Sequence, residues 1–120
     1  DYEGRKPYFQ MVARDIKSEL PENARYFIVD PQGSGEVGVI TKYRIGGFAT
    51  YGGVMSAFHP PNVRALLSRL KNSKSEFVLI HSSFDGMDTV FGFPILPDRS
   101  YLLKKSASGW IRVRTWMEKN

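Results

Sequence analysis

Residues 25–30, RYFIVD, and residues 76–81, EFVLIH, decide the fold of this chain. Each segment is a short apolar run that ends in a polar residue, Asp30 in the first and His81 in the second. Short uninterrupted apolar runs of this kind are typical of strands that are buried on both faces of a sheet. We therefore predict two central strands that lie side by side and point the same way.

Helical patterns flank and separate these two strands. Apolar residues recur at helical spacing from Phe9 to Leu20, and Pro21 ends the pattern because proline disfavours helical geometry in the residue before it. Three further elements are expected between the strands: a short helix over residues 36–45 that ends at Gly46-Gly47, an extended segment within residues 48–58, and a helix that opens at Pro60-Pro61.

The chain closes with the pattern of a β-hairpin. Residues 100–105 and 110–116 favour strands, and the connection Ser106-Ala107-Ser108-Gly109 supplies a turn. Strands that alternate with helices imply right-handed crossovers and a sheet covered on both sides. The sequence therefore predicts an α/β fold, with a three-layer, mainly parallel, Rossmann-like sheet and a C-terminal antiparallel hairpin.

Composition limits the classes of protein to which the chain can belong. The 120 residues suit a single α/β domain over residues 1–120, and 42% hydrophobic residues suffice for a core. The absence of cysteine excludes a disulfide scaffold and a thiolate metal site. The net charge of +5 is spread along the chain, which favours a mildly basic surface over a nucleic-acid interface. The abrupt opening at Asp1 suggests a fragment of a longer protein.

A glycine-rich segment follows the first predicted strand. Residues 33–38 read GSGEVG and match the spacing G-x-G-x-x-G of dinucleotide-binding loops. No acidic residue lies near positions 55 to 60, where a ribose partner would be expected, so we predict no cofactor. The loop still falls where open parallel sheets bind ligands, and a small anion fits there. The predicted ligand-binding residues are Asp30, Gly33, Ser34, Gly35 and His81.

The sequence shows no convincing catalytic or metal constellation. His81 is followed by Ser82, Ser83 and Asp85, but members of a catalytic triad normally converge from distant segments. His59 and His81 are the only histidines, which makes a zinc site improbable. We therefore predict no catalytic residue and no bound metal in this domain.

Three stretches together resemble a known arrangement. They are ELPENARYFIVD at residues 19–30, DPQGSGEVGVITKYRIGG at residues 30–47, and RSYLLKK with GWIRVRTW at residues 99–105 and 109–116. The pattern resembles the soluble extracytoplasmic domain that follows the transmembrane helices of membrane glycosyltransferases of the dolichyl-phosphate-mannose mannosyltransferase kind. In that family the catalytic carboxylates lie in loops between membrane helices, so the resemblance assigns no catalytic residue to this chain.

Three hypotheses about function follow. The leading one is a non-catalytic, periplasmic accessory domain of a bacterial membrane protein such as a glycosyltransferase. Its expected partners are the membrane portion of the same polypeptide and a glycan or anionic lipid headgroups, and no nucleic acid. The second is a small nucleotide- or anion-binding enzyme domain that uses the loop Gly33–Gly38, with His81 as acid or base. The third is a cytoplasmic interaction or nucleic-acid-binding module that uses the basic surface.

Overall fold

The computed structural model describes residues 2–21, 24–29, 45–49, 63–81 and 87–118. The elements follow one another as α1 (Tyr2–Glu19), β1 (Tyr26–Val29), β2 (Ile45–Ala49), α2 (Val63–Ser73), β3 (Phe77–Ile80), α3 (Met87–Phe91), β4 (Arg99–Ser106) and β5 (Gly109–Met117). None of the helices in these ranges is long and apolar enough to cross a membrane.

The five strands form one sheet in the order β2-β1-β3-β4-β5. Strand β1 runs parallel to both of its neighbours, and Tyr26 to Val29 lie opposite Phe77 to Ile80 of β3. All eight residues of these two segments are buried. The prediction of two adjacent, parallel, doubly buried strands is therefore confirmed.

The prediction of a mainly parallel, three-layer, Rossmann-like sheet is wrong. Strand β4 runs antiparallel to β3, and β5 runs antiparallel to β4, so the sheet is mixed, with two parallel and two antiparallel ladders. A connection between parallel strands must return the chain to the other end of the strands, usually through a long helix. The described part of the β3–β4 connection holds only the five-residue α3, about 8 Å long, and β4 starts beside the end of β3.

The segment around the two adjacent glycines also differs from the prediction. Gly46 and Gly47 lie inside β2 and do not end a helix. Tyr26 pairs with Ile45 and Phe27 with Gly47, so the register shifts by one residue at the glycines. A glycine inside a strand often marks such an irregularity. The predicted helix over residues 36–45 otherwise lies outside the described residues.

Helix α1 covers one face of the sheet through the stripe that its sequence predicted. Its apolar stripe is buried and packs on side chains of β1, β3, β4 and β5. This core comprises Val12, Ala13, Ile16, Leu20, Tyr26, Ile28, Phe77, Leu79, Leu102 and Trp116. Trp116 also donates a hydrogen bond of 2.7 Å from Nε1 to Asp15, so α1 is tied to the far edge of the sheet.

The other face of the sheet packs against α3 and the last turns of α2. Its core comprises Phe27, Val29, Val78, Ile80, Met87, Phe91, Ile95, Tyr101 and Leu103, with Leu70 and Trp110 packed at its border. Asp88 accepts a hydrogen bond of 3.0 Å from the Ile95 backbone N–H, which fixes the turn after α3. This is the capping role that short acidic side chains commonly have in turns.

The predicted C-terminal hairpin is present. Strands β4 and β5 pair along their length, from Arg99 opposite Met117 to Ser106 opposite Gly109. One irregularity in the register lies between Leu102 and Leu103. Gly109 has a φ of 148° at the tight end of the hairpin, a conformation that glycine adopts readily. The hairpin lies antiparallel beside β3 and therefore brings the start of β4 and the end of β5 next to the end of β3.

Candidate functional site

The carboxyl ends of β1 and β3 meet other chain segments at one edge of the sheet. His81 follows β3 there, and its backbone N–H donates a hydrogen bond of 3.0 Å to the Val29 carbonyl. Arg5, Tyr8, Ser100 and Glu118 converge on this edge from the first half of α1, the start of β4 and the end of β5. We call this group, together with His81, the carboxyl rim.

One of the predicted ligand-binding residues lies in the carboxyl rim. His81 is 4% exposed and is thus part of the interior of the rim. Asp30, Gly33, Ser34 and Gly35 lie outside the described residues, as does the rest of the loop over residues 33–38. The prediction that these four residues bind a ligand remains untested.

A continuous hydrogen-bond chain crosses the rim from α1 to β3. The Tyr8 hydroxyl donates to Ser100 Oγ at 2.6 Å, and Ser100 Oγ lies 2.8 Å from Nδ1 of His81. A hydroxyl group both donates and accepts, so Ser100 pairs with Nδ1 in either tautomer of the imidazole.

Aromatic rings enclose the imidazole of His81. The ring of Phe9 meets it edge to face at 4.8 Å between centroids, and the ring of Tyr8 lies at 6.4 Å. Nε2 is buried, and no described residue forms a hydrogen bond with it. Within the described part of the chain, the imidazole therefore has one polar contact, through Nδ1, and two aromatic ones.

This setting changes the acid–base behaviour of the rim. Burial, assisted by the positive charge of Arg5, lowers the pKa of His81 to about 3. Desolvation disfavours the charged form of any buried group, and for histidine that form is the protonated one. Burial also raises the pKa of Tyr8, against the hydrogen bond to Ser100. Both side chains are therefore neutral at physiological pH.

An ion pair covers the outer side of the rim. Arg5 contacts Glu118 through two bonds, from Nε to Oε2 at 2.6 Å and from Nη2 to Oε1 at 2.8 Å. The guanidinium also lies 4.6 Å from the centre of the Phe9 ring. Two parallel bonds between a guanidinium and a carboxylate fix the orientation of both groups and stabilise the contact. Arg5 is thus held over the ring that covers His81.

The arrangement is poorly suited to catalysis. A serine beside a histidine is the start of a nucleophile–base pair, but here Ser100 is 1% exposed. A general base works best when its pKa is near the working pH, and the pKa of His81 is far below it. Among the described residues, no group of three or more His, Cys, Asp or Glu side chains could hold a metal ion.

Sequence reasoning missed the partners of His81. Tyr8 flanks the apolar stripe of α1, one position before Phe9, and this position on the border of a buried face was the available signal. Ser100 was recognised only as the start of a hairpin strand. An antiparallel β4 beside β3 would have placed it next to His81, but the parallel interpretation of the sheet hid this contact.

Comparison of the chain with protein-family models, with curated proteins and with solved structures finds no match.

Proposed function

We propose that this chain is a non-catalytic accessory domain on the extracytoplasmic side of a bacterial membrane protein of the glycosyltransferase kind. The observation that supports a non-catalytic role is the closed interior of the carboxyl rim. Ser100 and His81 are the described residues most like a nucleophile and its base, yet both are buried beneath α1. A nucleophile has to reach its substrate, so this pair serves to hold α1 on the sheet.

The surface beside the rim offers a contact area of its own. Leu96 and Met117 are 43% and 56% exposed, and Pro97, which follows Leu96, is exposed as well. The Glu118 N–H donates to the Asp98 carbonyl at 2.8 Å and so holds the segment before β4 beside the end of β5. Exposed apolar side chains that lie together are typical of contact surfaces. We call Leu96, Pro97 and Met117 the rim patch and propose that it docks on the membrane portion of the same polypeptide.

Two features of the sequence support this setting. The pattern resemblance to extracytoplasmic domains of membrane glycosyltransferases favours attachment to a membrane-embedded portion. The net charge of +5 favours an anionic environment, such as lipid headgroups or a negatively charged glycan. A rigid, basic domain beside the membrane portion would cover it or help to position an acceptor.

Cysteine labelling in the parent protein tests the proposal, because the chain has no cysteine of its own. Met117→Cys places a thiol in the rim patch, and Ser108→Cys places the matched control in the exposed hairpin turn. Both variants are expressed in the parent gene, with any cysteine outside this chain replaced. Intact cells are then treated with a membrane-impermeant maleimide, and the labelling rates are compared with those of the isolated chain.

Extracytoplasmic docking predicts that Ser108→Cys is labelled in intact cells and that Met117→Cys reacts more slowly in the parent protein than in the isolated chain. Labelling of Ser108→Cys only after lysis would overturn the proposed location. Equal rates for Met117→Cys in both contexts would overturn docking through the rim patch. A parent gene without apolar segments long enough to span a membrane would overturn the setting as a whole.

The non-catalytic part has a separate test. Ser100→Ala removes the hydroxyl that is hydrogen-bonded to His81, and the activity of the parent protein, per folded molecule, is expected to stay the same. Loss of turnover with intact circular dichroism would contradict a structural role. Nucleotide binding that Gly35→Arg abolishes would instead favour the enzyme-domain hypothesis.

A further inference from the structure

A cavity lies at the other end of the strands from the carboxyl rim. It has a volume of about 490 Å³ and opens between the end of α2 and the β4–β5 hairpin. The backbone N–H of Lys105 donates a hydrogen bond of 2.8 Å to the carbonyl of Glu76, and this bond joins two walls of the cavity. The volume falls in the range typical of small-molecule sites.

Three lysines converge on this cavity from two different elements. Lys71 lies in the last turn of α2, Lys74 directly follows the helix, and Lys105 lies in β4. None of the three forms an ion pair with another residue in the described ranges, and Glu76 is the one carboxylate among the lining residues. Lysines near a helix C-terminus interact well with the helix dipole, which accounts for the first two. It does not account for Lys105, which approaches from a strand.

The remaining wall is apolar. Trp110 lines the cavity and is held in place by an edge-to-face contact with Phe91, at 5.6 Å between ring centres. Leu67 lines the cavity as well and is 49% exposed. An indole and a leucine side chain offer apolar surface on which a ring can pack.

We propose that this cavity binds a phosphate monoester attached to a ring, the chemistry shared by nucleotides, aryl phosphates and cyclic sugar phosphates. The three lysines exceed the single glutamate by two charges, which matches the charge of a phosphate monoester of about −2 at neutral pH. The phosphate contacts the lysines, and the ring packs on Trp110. The site is remote from the carboxyl rim and does not depend on the proposed function.

Calorimetric titration of the whole chain with phenyl phosphate and with inorganic phosphate tests the proposal at low ionic strength, where screening is weak. Lys105→Gln is expected to weaken phenyl phosphate binding about tenfold, since it removes one charge-assisted contact. Lys104→Gln is the matched control. The same charge is lost from the neighbouring residue, but Lys104 lies on the other face, over the Phe77 ring.

The ring is tested by Trp110→Leu. Phenyl phosphate is expected to bind about fivefold more tightly than inorganic phosphate, and this advantage is expected to vanish in the variant, which still binds inorganic phosphate. Equal weakening by Lys104→Gln and Lys105→Gln would reduce the effect to general surface charge and overturn the site. No binding of either probe at millimolar concentration, or equal affinity for both, would overturn it as well.

Discussion

The replacement of His81 by asparagine separates the titration of this residue from its hydrogen bond. His81 is buried at the end of β3, with Nδ1 2.8 Å from the Ser100 hydroxyl. An asparagine amide reaches the position of Nδ1 and keeps a polar partner for Ser100, but it does not take up a proton. Any pH dependence of stability that the variant lacks therefore belongs to the imidazole.

The expected loss of stability at low pH follows from the difference between the pKa of His81 in the unfolded chain and its pKa in the folded chain. Histidine in the unfolded chain titrates near pH 6.5, whereas burial lowers the pKa of His81 to about 3 in the folded chain. Between these values only the unfolded state binds the proton, so a fall in pH stabilises the unfolded state. The free energy of unfolding then decreases by about 1.4 kcal/mol per pH unit. From pH 7.5 to pH 4.5 the loss amounts to about 3 kcal/mol.

Urea denaturation at pH 7.5, 6.0 and 4.5 measures this loss for the native chain and for His81→Asn. Among the residues that the structure describes, Arg5 acts on the charge of His81, and the ring of Tyr8 packs against its imidazole. They are common to both proteins, so their titrations largely cancel in the difference. We expect the stability advantage of the native chain over the variant to shrink by about 3 kcal/mol across the series.

Parallel stability curves, with a difference that changes by less than about 0.5 kcal/mol, would refute the reasoning, because they would mean that His81 titrates alike in both states. Proton NMR of the His59→Asn variant provides an independent control, since His81 is then the only imidazole in the chain. Its ring signals are expected to stay constant from pH 7.5 to pH 4.5 in the folded protein.

Three further substitutions test the packing that supports the two sites. Glu118→Gln weakens the paired bonds to Arg5 and is expected to lower the free energy of unfolding, measured by urea denaturation, by about 1 kcal/mol. An unchanged free energy of unfolding would show that the pair adds no stability. Trp116→Phe removes the 2.7 Å bond to Asp15 and is expected to cost about 1 to 2 kcal/mol, with a smaller cost in an Asp15→Ala background if the bond is responsible. Leu79→Ala opens a cavity at a fully buried position and is expected to cost about 2 to 5 kcal/mol, whereas Leu79→Met should cost less than about 1.5 kcal/mol by thermal unfolding.

The local elements were predictable where sequence pattern and burial agree. The apolar runs of β1 and β3 and the helical stripe from Phe9 to Leu20 are buried as expected, because period and hydrophobicity leave each segment one stable arrangement. The direction of β4 was not predictable in the same way. A strand pattern is the same whether its neighbour runs parallel or antiparallel, and the short α3 was hidden in an irregular stretch.

The candidate site was predicted only through His81. Its position after a buried strand marked the edge of the sheet, but the sequence gives no direct signal for contacts between residues far apart in the chain. Ser100 and Tyr8 are separated by 92 positions and meet only because β4 turns back beside β3 under α1. The lysine cavity depends in the same way on the hairpin, which carries Lys105 to the end of α2.

The contact between Arg5 and Glu118 joins side chains that are 113 positions apart in sequence. The first turns of α1 and Glu118, which directly follows β5, are therefore spatial neighbours, a geometry that favours circular permutation. A short linker could join the two ends, and new termini could be opened at Ala107 and Ser108, which are exposed in the hairpin turn.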